Sequence, residues 1–207
     1  VCVQDDCSGF CNNFVSDSCL AVEAPREPLS ELPGIPIPSC YSDWNTLWVA
    51  ATAGISNTYN LCQNTTLYAD HGEQTSILVN GTEISTFQCG EDGAGKNCII
   101  SGGTAHFFVA GPAQFSGITM HNASDVSVVV AIEDPAEVKF TQCRWIENNG
   151  PATVVVYSDA NPEDFYERIG VDPFTKALTV PGSVEFDQCH FGLNDNVGTG
   201  VLVALGG

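Results

Sequence analysis

Three short stretches share one pattern: "FSGITM" at 115–120, "FTQCRW" at 140–145 and "FDQCHF" at 186–191. Phe115, Phe140 and Phe186 align. Ile118 aligns with Cys143 and Cys189, and Met120 with Trp145 and Phe191. A second register follows each copy, "VVV" at 128–130, "VVV" at 154–156 and "VLV" at 201–203. The phenylalanines lie 25 and then 46 residues apart, the valine runs 26 and then 47. Both registers therefore jump by the same 21 residues (46 less 25, 47 less 26), which marks a true repeat broken by one insertion.

A period near 25, built of short Val-, Ile- and Phe-rich runs without helical spacing, predicts a solenoid in which each coil stacks on the next. Apolar residues at positions 0, 3 and 5 of the motif break strict alternation, so a corner is expected near Gln142 and Gln188. Two glutamines stacked at a buried turn would satisfy each other's amides. The same stacking places Arg144 beside His190 on an outer face, and Lys139 beside Glu185 one strand earlier. Cys143 and Cys189 share an inward position about 5 Å apart. Buried free thiols acting as small hydrophobes are the first reading of that pair, and a bridge across the coils the second.

Upstream of the repeat the chain changes character. Residues 1–40 carry Cys2, Cys7, Cys11 and Cys19 and end in the proline-rich "APREPLSELPGIPIPSC", which excludes long regular structure. They read as a small disulfide-rich cap followed by an extended strap. In "SDWNTLWVAATAG", Ser42 is a suitable N-cap, Trp44, Leu47, Trp48 and Ala51 recur at helical spacing, and Gly54 is placed to end the helix. The expected helix covers about 42–53 and its tryptophans are core. The second domain, 41–207, is the solenoid, with a loop insertion at about 158–182 whose Phe165, Tyr166 and Phe174 suit either recognition or folding back over a coil.

Ten cysteines and three sequons, at Asn64, Asn80 and Asn122, point to an oxidising compartment and predict a secreted glycoprotein of the extracellular space or cell surface. The chain starts at Val1, as expected of a processed form that has lost its signal peptide. Cys40, Cys62, Cys89 and Cys98 join the first four cysteines as the expected disulfide set. A zinc knuckle is the competing reading of Cys2, Cys7, Cys11 and Cys19, which lack paired C-x-x-C spacing and nearby histidines. Acids outnumber bases 25 to 6, for a net charge of −19, which repels nucleic acid and anionic lipid. No apolar run reaches membrane-spanning length.

The stretch "CGEDGAGKNC" at 89–98 imitates a phosphate-binding loop, but Asn97 stands where a magnesium-binding Ser or Thr is required, and a strand-like run follows instead of a helix. A disulfide closing a glycine-rich loop is the better reading. His71, His106 and His121 show no metal-ligand spacing, and His121, beside a sequon, is expected to be exposed. No metal or cofactor is expected. Ice-binding ladders would need Thr-x-Thr rows, which the sequence lacks.

The pattern F-x-Q-C-x-[WF], with "ENNG" at 147–150, resembles the right-handed parallel β-helix of the pectin-lyase-like superfamily, in its secreted cysteine-rich type from algae and other microbial eukaryotes. The resemblance covers about residues 40–207. It implies an all-β, right-handed parallel β-helix whose open end is plugged by an N-terminal amphipathic helix. Enzymes of that superfamily are polysaccharide lyases and hydrolases with carboxylate clusters and basic residues on an outer face. The chain has neither a clustered aspartate pair there nor a Gly-His-Gly stretch, which leaves Arg144 and His190 as its catalytic candidates. The leading expectation is a non-catalytic structural or adhesive protein. Its apolar "GVLVALGG" terminus suggests self-association end to end or continuation of the coil. A lyase or hydrolase, or a module binding extracellular glycans, is the alternative.

Overall fold

A computed structural model describes residues 38–69, 76–132, 136–157, 182–194 and 200–205. Cys2, Cys7, Cys11, Cys19, His71 and nearly all of the 158–182 insertion lie outside the described residues.

Within the described residues the chain winds through five coils of three strands each. The first is β1 (Thr58–Leu61), β2 (Thr65–Tyr68) and β3 (Ile77–Val79); the second is β4 (Ser85–Cys89), β5 (Cys98–Ser101) and β6 (Phe107–Val109). The third is β7 (Ala113–Ser116), β8 (Ile118–His121) and β9 (Val128–Ala131). The fourth is β10 (Glu137–Thr141), β11 (Arg144–Ile146) and β12 (Ala152–Tyr157), and the last β13 (Ser183–Asp187), β14 (His190–Gly192) and β15 (Gly200–Leu205). Every third strand pairs in parallel, giving three five-stranded sheets, β1-β4-β7-β10-β13, β2-β5-β8-β11-β14 and β3-β6-β9-β12-β15. This is a parallel β-solenoid.

The predicted register holds where the phenylalanines set it. Phe115 pairs with Phe140 and Phe140 with Phe186, while Met120, Trp145 and Phe191 share one column. The aromatic column extends further than the repeat revealed. Tyr59, Phe87, Phe115, Phe140 and Phe186 stack with successive centroid separations of 4.8, 5.3, 4.8 and 5.1 Å and interplanar angles of 9–19°. Trp145 stacks on Phe191 at 4.6 Å and stands edge-on to Phe140 at 5.3 Å, locking two sheets together inside the coil.

The valine register needs correction by one residue: Val154 pairs with Leu202, not with Val201. The cause lies in the composition of this sheet. Val128 and Val130 point into the core, yet the outward Val129 and Val155 are also only 3% and 8% exposed, in a second apolar cluster with Val126 and Ala152. With both faces apolar, the sequence there loses the alternation that fixes register.

Left-handed residues mark the corners. Gly117, Gln142 and Gln188 (φ 68°, 54° and 53°) turn the chain from the first sheet to the second. Asn122, Glu147 and Leu193 (φ 55°, 56° and 56°) do so from the second to the third. Gln142 does donate to Gln188, at 3.3 Å, but this corner is exposed. The buried amide ladder is instead Asn148 with Asn194. Asn148, fully buried, accepts from the Ala123 amide at 2.9 Å and donates to Met120 and Asn194, and Asn194 donates to the Trp145 carbonyl. At Gly150, an added Cβ would overlap the Asp125 carbonyl of the preceding coil, so only glycine fits.

Helix α1 (Trp44–Ala53) starts two residues later than expected. Its N-cap is Asp43 rather than Ser42, because the Asp43 carboxylate reaches the Thr46 amide at 2.8 Å and the Thr46 hydroxyl at 2.7 Å. Gly54, at φ 61°, ends it. Trp44 and Leu47 are buried, with Trp44 edge-on to Phe107, and the half-buried Trp48 donates to the Ser76 carbonyl. Phe140→Ala, removing one ring from the middle of the column, is expected to cost about 3–5 kcal/mol and Phe140→Leu clearly less, measured by equilibrium denaturation.

Candidate functional site

The outer face of the β2-β5-β8-β11-β14 sheet carries the predicted candidates. Thr66, Ile99, Thr119, Arg144 and His190 form one outward column, and Arg144 lies directly opposite both Thr119 and His190. Arg144 and His190 are therefore brought together, both exposed. Among the described residues neither pairs with a carboxylate.

The neighbouring column, Tyr68, Ser101, His121, Ile146 and Gly192, holds a constellation that sequence reasoning missed. Ser101 Oγ lies 2.9 Å from His121 Nδ1, and His121 Nε2 lies 3.1 Å from a Glu147 carboxylate oxygen. With the proton on the nitrogen facing Glu147, the imidazole can accept from the serine hydroxyl, which is the hydroxyl–base–acid order of an activated nucleophile. Access and electrophilic support are weaker. Ser101 is 8% exposed, and the following backbone donor, Gly102 N–H, is already given to the His121 carbonyl at 3.0 Å. The signal was present in the spacing, since residues 101, 121 and 147 fall on successive coils. Placing Ser101 required the second coil, which the repeat had not located.

His121 is thus partly covered, its side chain 33% exposed, rather than free beside its sequon. His106 is buried and structural, with Nδ1 against Ser127 Oγ and Nε2 against the Gly102 carbonyl, each at 2.9 Å.

On the β1-β4-β7-β10-β13 sheet the outer column runs Thr58, Thr86, Gln114, Lys139 and Glu185. Lys139 meets Glu185 at 2.9 Å, as the stacking predicted. A groove of ≈ 610 Å³ runs here between Asn80, Thr82, Gln114, Glu137, Lys139 and Glu185.

All three sequon asparagines are exposed. Asn64 accepts from Asn97 Nδ2 at 3.0 Å and Asn122 from Asn149 Nδ2 at 3.4 Å, both through Oδ1 rather than the nitrogen that carries a glycan. Disulfides join Cys40 to Cys62 and Cys89 to Cys98, so the glycine-rich loop is a closed loop; Cys143 and Cys189 are free. No helix among the described residues is long and apolar enough to cross a membrane.

No family model matches the chain, and neither a curated protein nor a solved structure is found similar to it.

Burial raises the Tyr41 and Tyr59 hydroxyls above their ordinary value of 10.0, and the hydrogen bond to Glu185 raises Lys139 above 10.5. All three hold their protons more tightly folded than unfolded. Their contribution is complete below the unfolded values and is lost as pH rises through the folded ones. The urea midpoint is expected to fall above about pH 10, and Lys139→Met to remove part of that fall. A midpoint flat through pH 11 would contradict this assignment.

Proposed function

We propose that the chain is a secreted, glycosylated, non-catalytic scaffold with a structural or adhesive role at a cell surface or in an extracellular fibre. The observation that carries this reading is how the outer faces use their polar groups. Lys139 is spent on Glu185, His121 on Ser101 and Glu147, and Gln142 on Gln188, so side chains brace neighbouring coils instead of converging on an open cleft. Exposed Asn64 and Asn80, beside strands of the first coil, and Asn122, in the third, suit glycosylation, and the two disulfides suit an oxidising compartment.

End-to-end self-association is part of the proposal. Among the described residues β13, β14 and β15 each stand at the edge of their sheet, and association would pair those edges with a further coil. At the other end α1, seated on Phe107 through Trp44, acts as the plug. We take the coil as right-handed and of pectin-lyase-like type, in keeping with the strong preference of parallel crossovers for that hand.

The second reading, a polysaccharide lyase or hydrolase, is favoured by the Ser101–His121–Glu147 relay and by the Arg144–His190 pair beside it. A glycan-binding module would use the groove at Lys139 and Glu185. On a panel of acidic and neutral polysaccharides the scaffold reading predicts no cleavage. Cleavage that His121→Ala, Arg144→Ala or His190→Ala abolishes would replace it with the enzyme reading. Electron microscopy of the native material is expected to show filaments or end-to-end oligomers, and dispersed monomers alone would contradict the stacking.

A further inference from the structure

Cys143 and Cys189 each follow a left-handed corner glutamine and each precede one of the paired residues Arg144 and His190. They therefore occupy the same position on adjacent coils, with the ladder continuous past them through the His190 amide to the Cys143 carbonyl at 2.9 Å. Parallel neighbours stand about 4.8 Å apart, inside the Cα range that a disulfide spans. The Cys189 sulfur leans over the coil beneath, 3.4 Å from the Phe140 carbonyl. They differ in access: Cys143 is fully buried and Cys189 half-buried.

We propose that Cys143 and Cys189 form a third disulfide, entered through Cys189 by thiol–disulfide exchange with a low-molecular-weight disulfide, and that it fastens the last coil to the fourth. In the first step the Cys189 thiolate attacks the external disulfide, forming a mixed disulfide and releasing one small thiolate. In the second, the Cys143 sulfur attacks Cys189 Sγ and displaces the other small thiolate. Two protein thiols are oxidised, the external disulfide is reduced to two thiols, and these take up both protons. Interaction with Cys143 lowers Cys189 to about 7, which suits the first attack, while Cys143 is held above its ordinary value and reacts second, once the mixed disulfide stands beside it. The bond would close a separation of 46 residues that contains the whole 158–182 insertion. It stands on geometry independent of the scaffold reading.

The test uses the full chain, exposed to oxidised glutathione, denatured with N-ethylmaleimide without reductant, and digested with trypsin. Cleavage after Lys139, Arg144 and Lys176 isolates Cys143 in the peptide 140–144 and Cys189 in the peptide beginning at Ala177. The expected product is these two peptides linked, lighter by two hydrogens than the unlinked pair. Two separate maleimide-bearing peptides, or a glutathione adduct that persists on Cys189, would overturn the proposal. Cys143→Ser should trap the glutathione adduct on Cys189, and Cys189→Ser should leave Cys143 unmodified in the folded chain. Reaction of Cys143 at an undiminished rate in Cys189→Ser would equally overturn it.

Discussion

Every described strand of this protein finds its hydrogen-bonding partner in the coil above or below, and none in its sequence neighbour. That constraint governs the rest. A coil of three short strands cannot bury its inner side chains or satisfy its backbone alone, so stability belongs to the stack. The aromatic column from Tyr59 to Phe186 is the side-chain form of the same dependence. Ring spacing near 5 Å equals the strand spacing, so backbone pairing and ring stacking demand one register, and a slip in either would break both.

The corners show how the stack is kept without wide loops. A left-handed residue such as Gln142 turns the chain in one step, and its amide still bonds the next coil, at the Asp187 carbonyl. For glutamine, glutamate or leucine that conformation costs about 1–2 kcal/mol, which the ladder on either side offsets. Where a corner encloses polar backbone, Asn148 and Asn194 supply the missing partners from inside. The outer faces follow the same economy. There Lys139 with Glu185, His121 with Glu147 and Gln142 with Gln188 connect coil to coil.

Much of this was legible in the residues. Phe115, Phe140 and Phe186, with the sulfurs and large apolar groups that follow at fixed offsets, carried the coil and the pairing of Arg144 with His190 and Lys139 with Glu185. The first two coils were harder, because the ten-residue disulfide loop between Cys89 and Cys98 sits where later coils spend one corner residue. That insertion hides the equivalence of Phe87 with Phe115, and with it the place of Ser101 next to His121. The amide ladder was expected at the glutamines because they repeat visibly. It forms at Asn148 and Asn194 because that corner is the buried one. Ser42 and Asp43 are both competent caps, and only the reach of the carboxylate to Thr46 decides between them.

The fold rests on the stack more than on any single side chain, so the stack is the thing to measure. Ring-to-ring nuclear Overhauser contacts on selectively labelled aromatic residues report it directly. Contacts should run in the order Tyr59, Phe87, Phe115, Phe140, Phe186, each ring seeing only its immediate neighbours in that series. Contacts joining Tyr59 to Phe186, or none between Phe115 and Phe140, would contradict the coil-on-coil account.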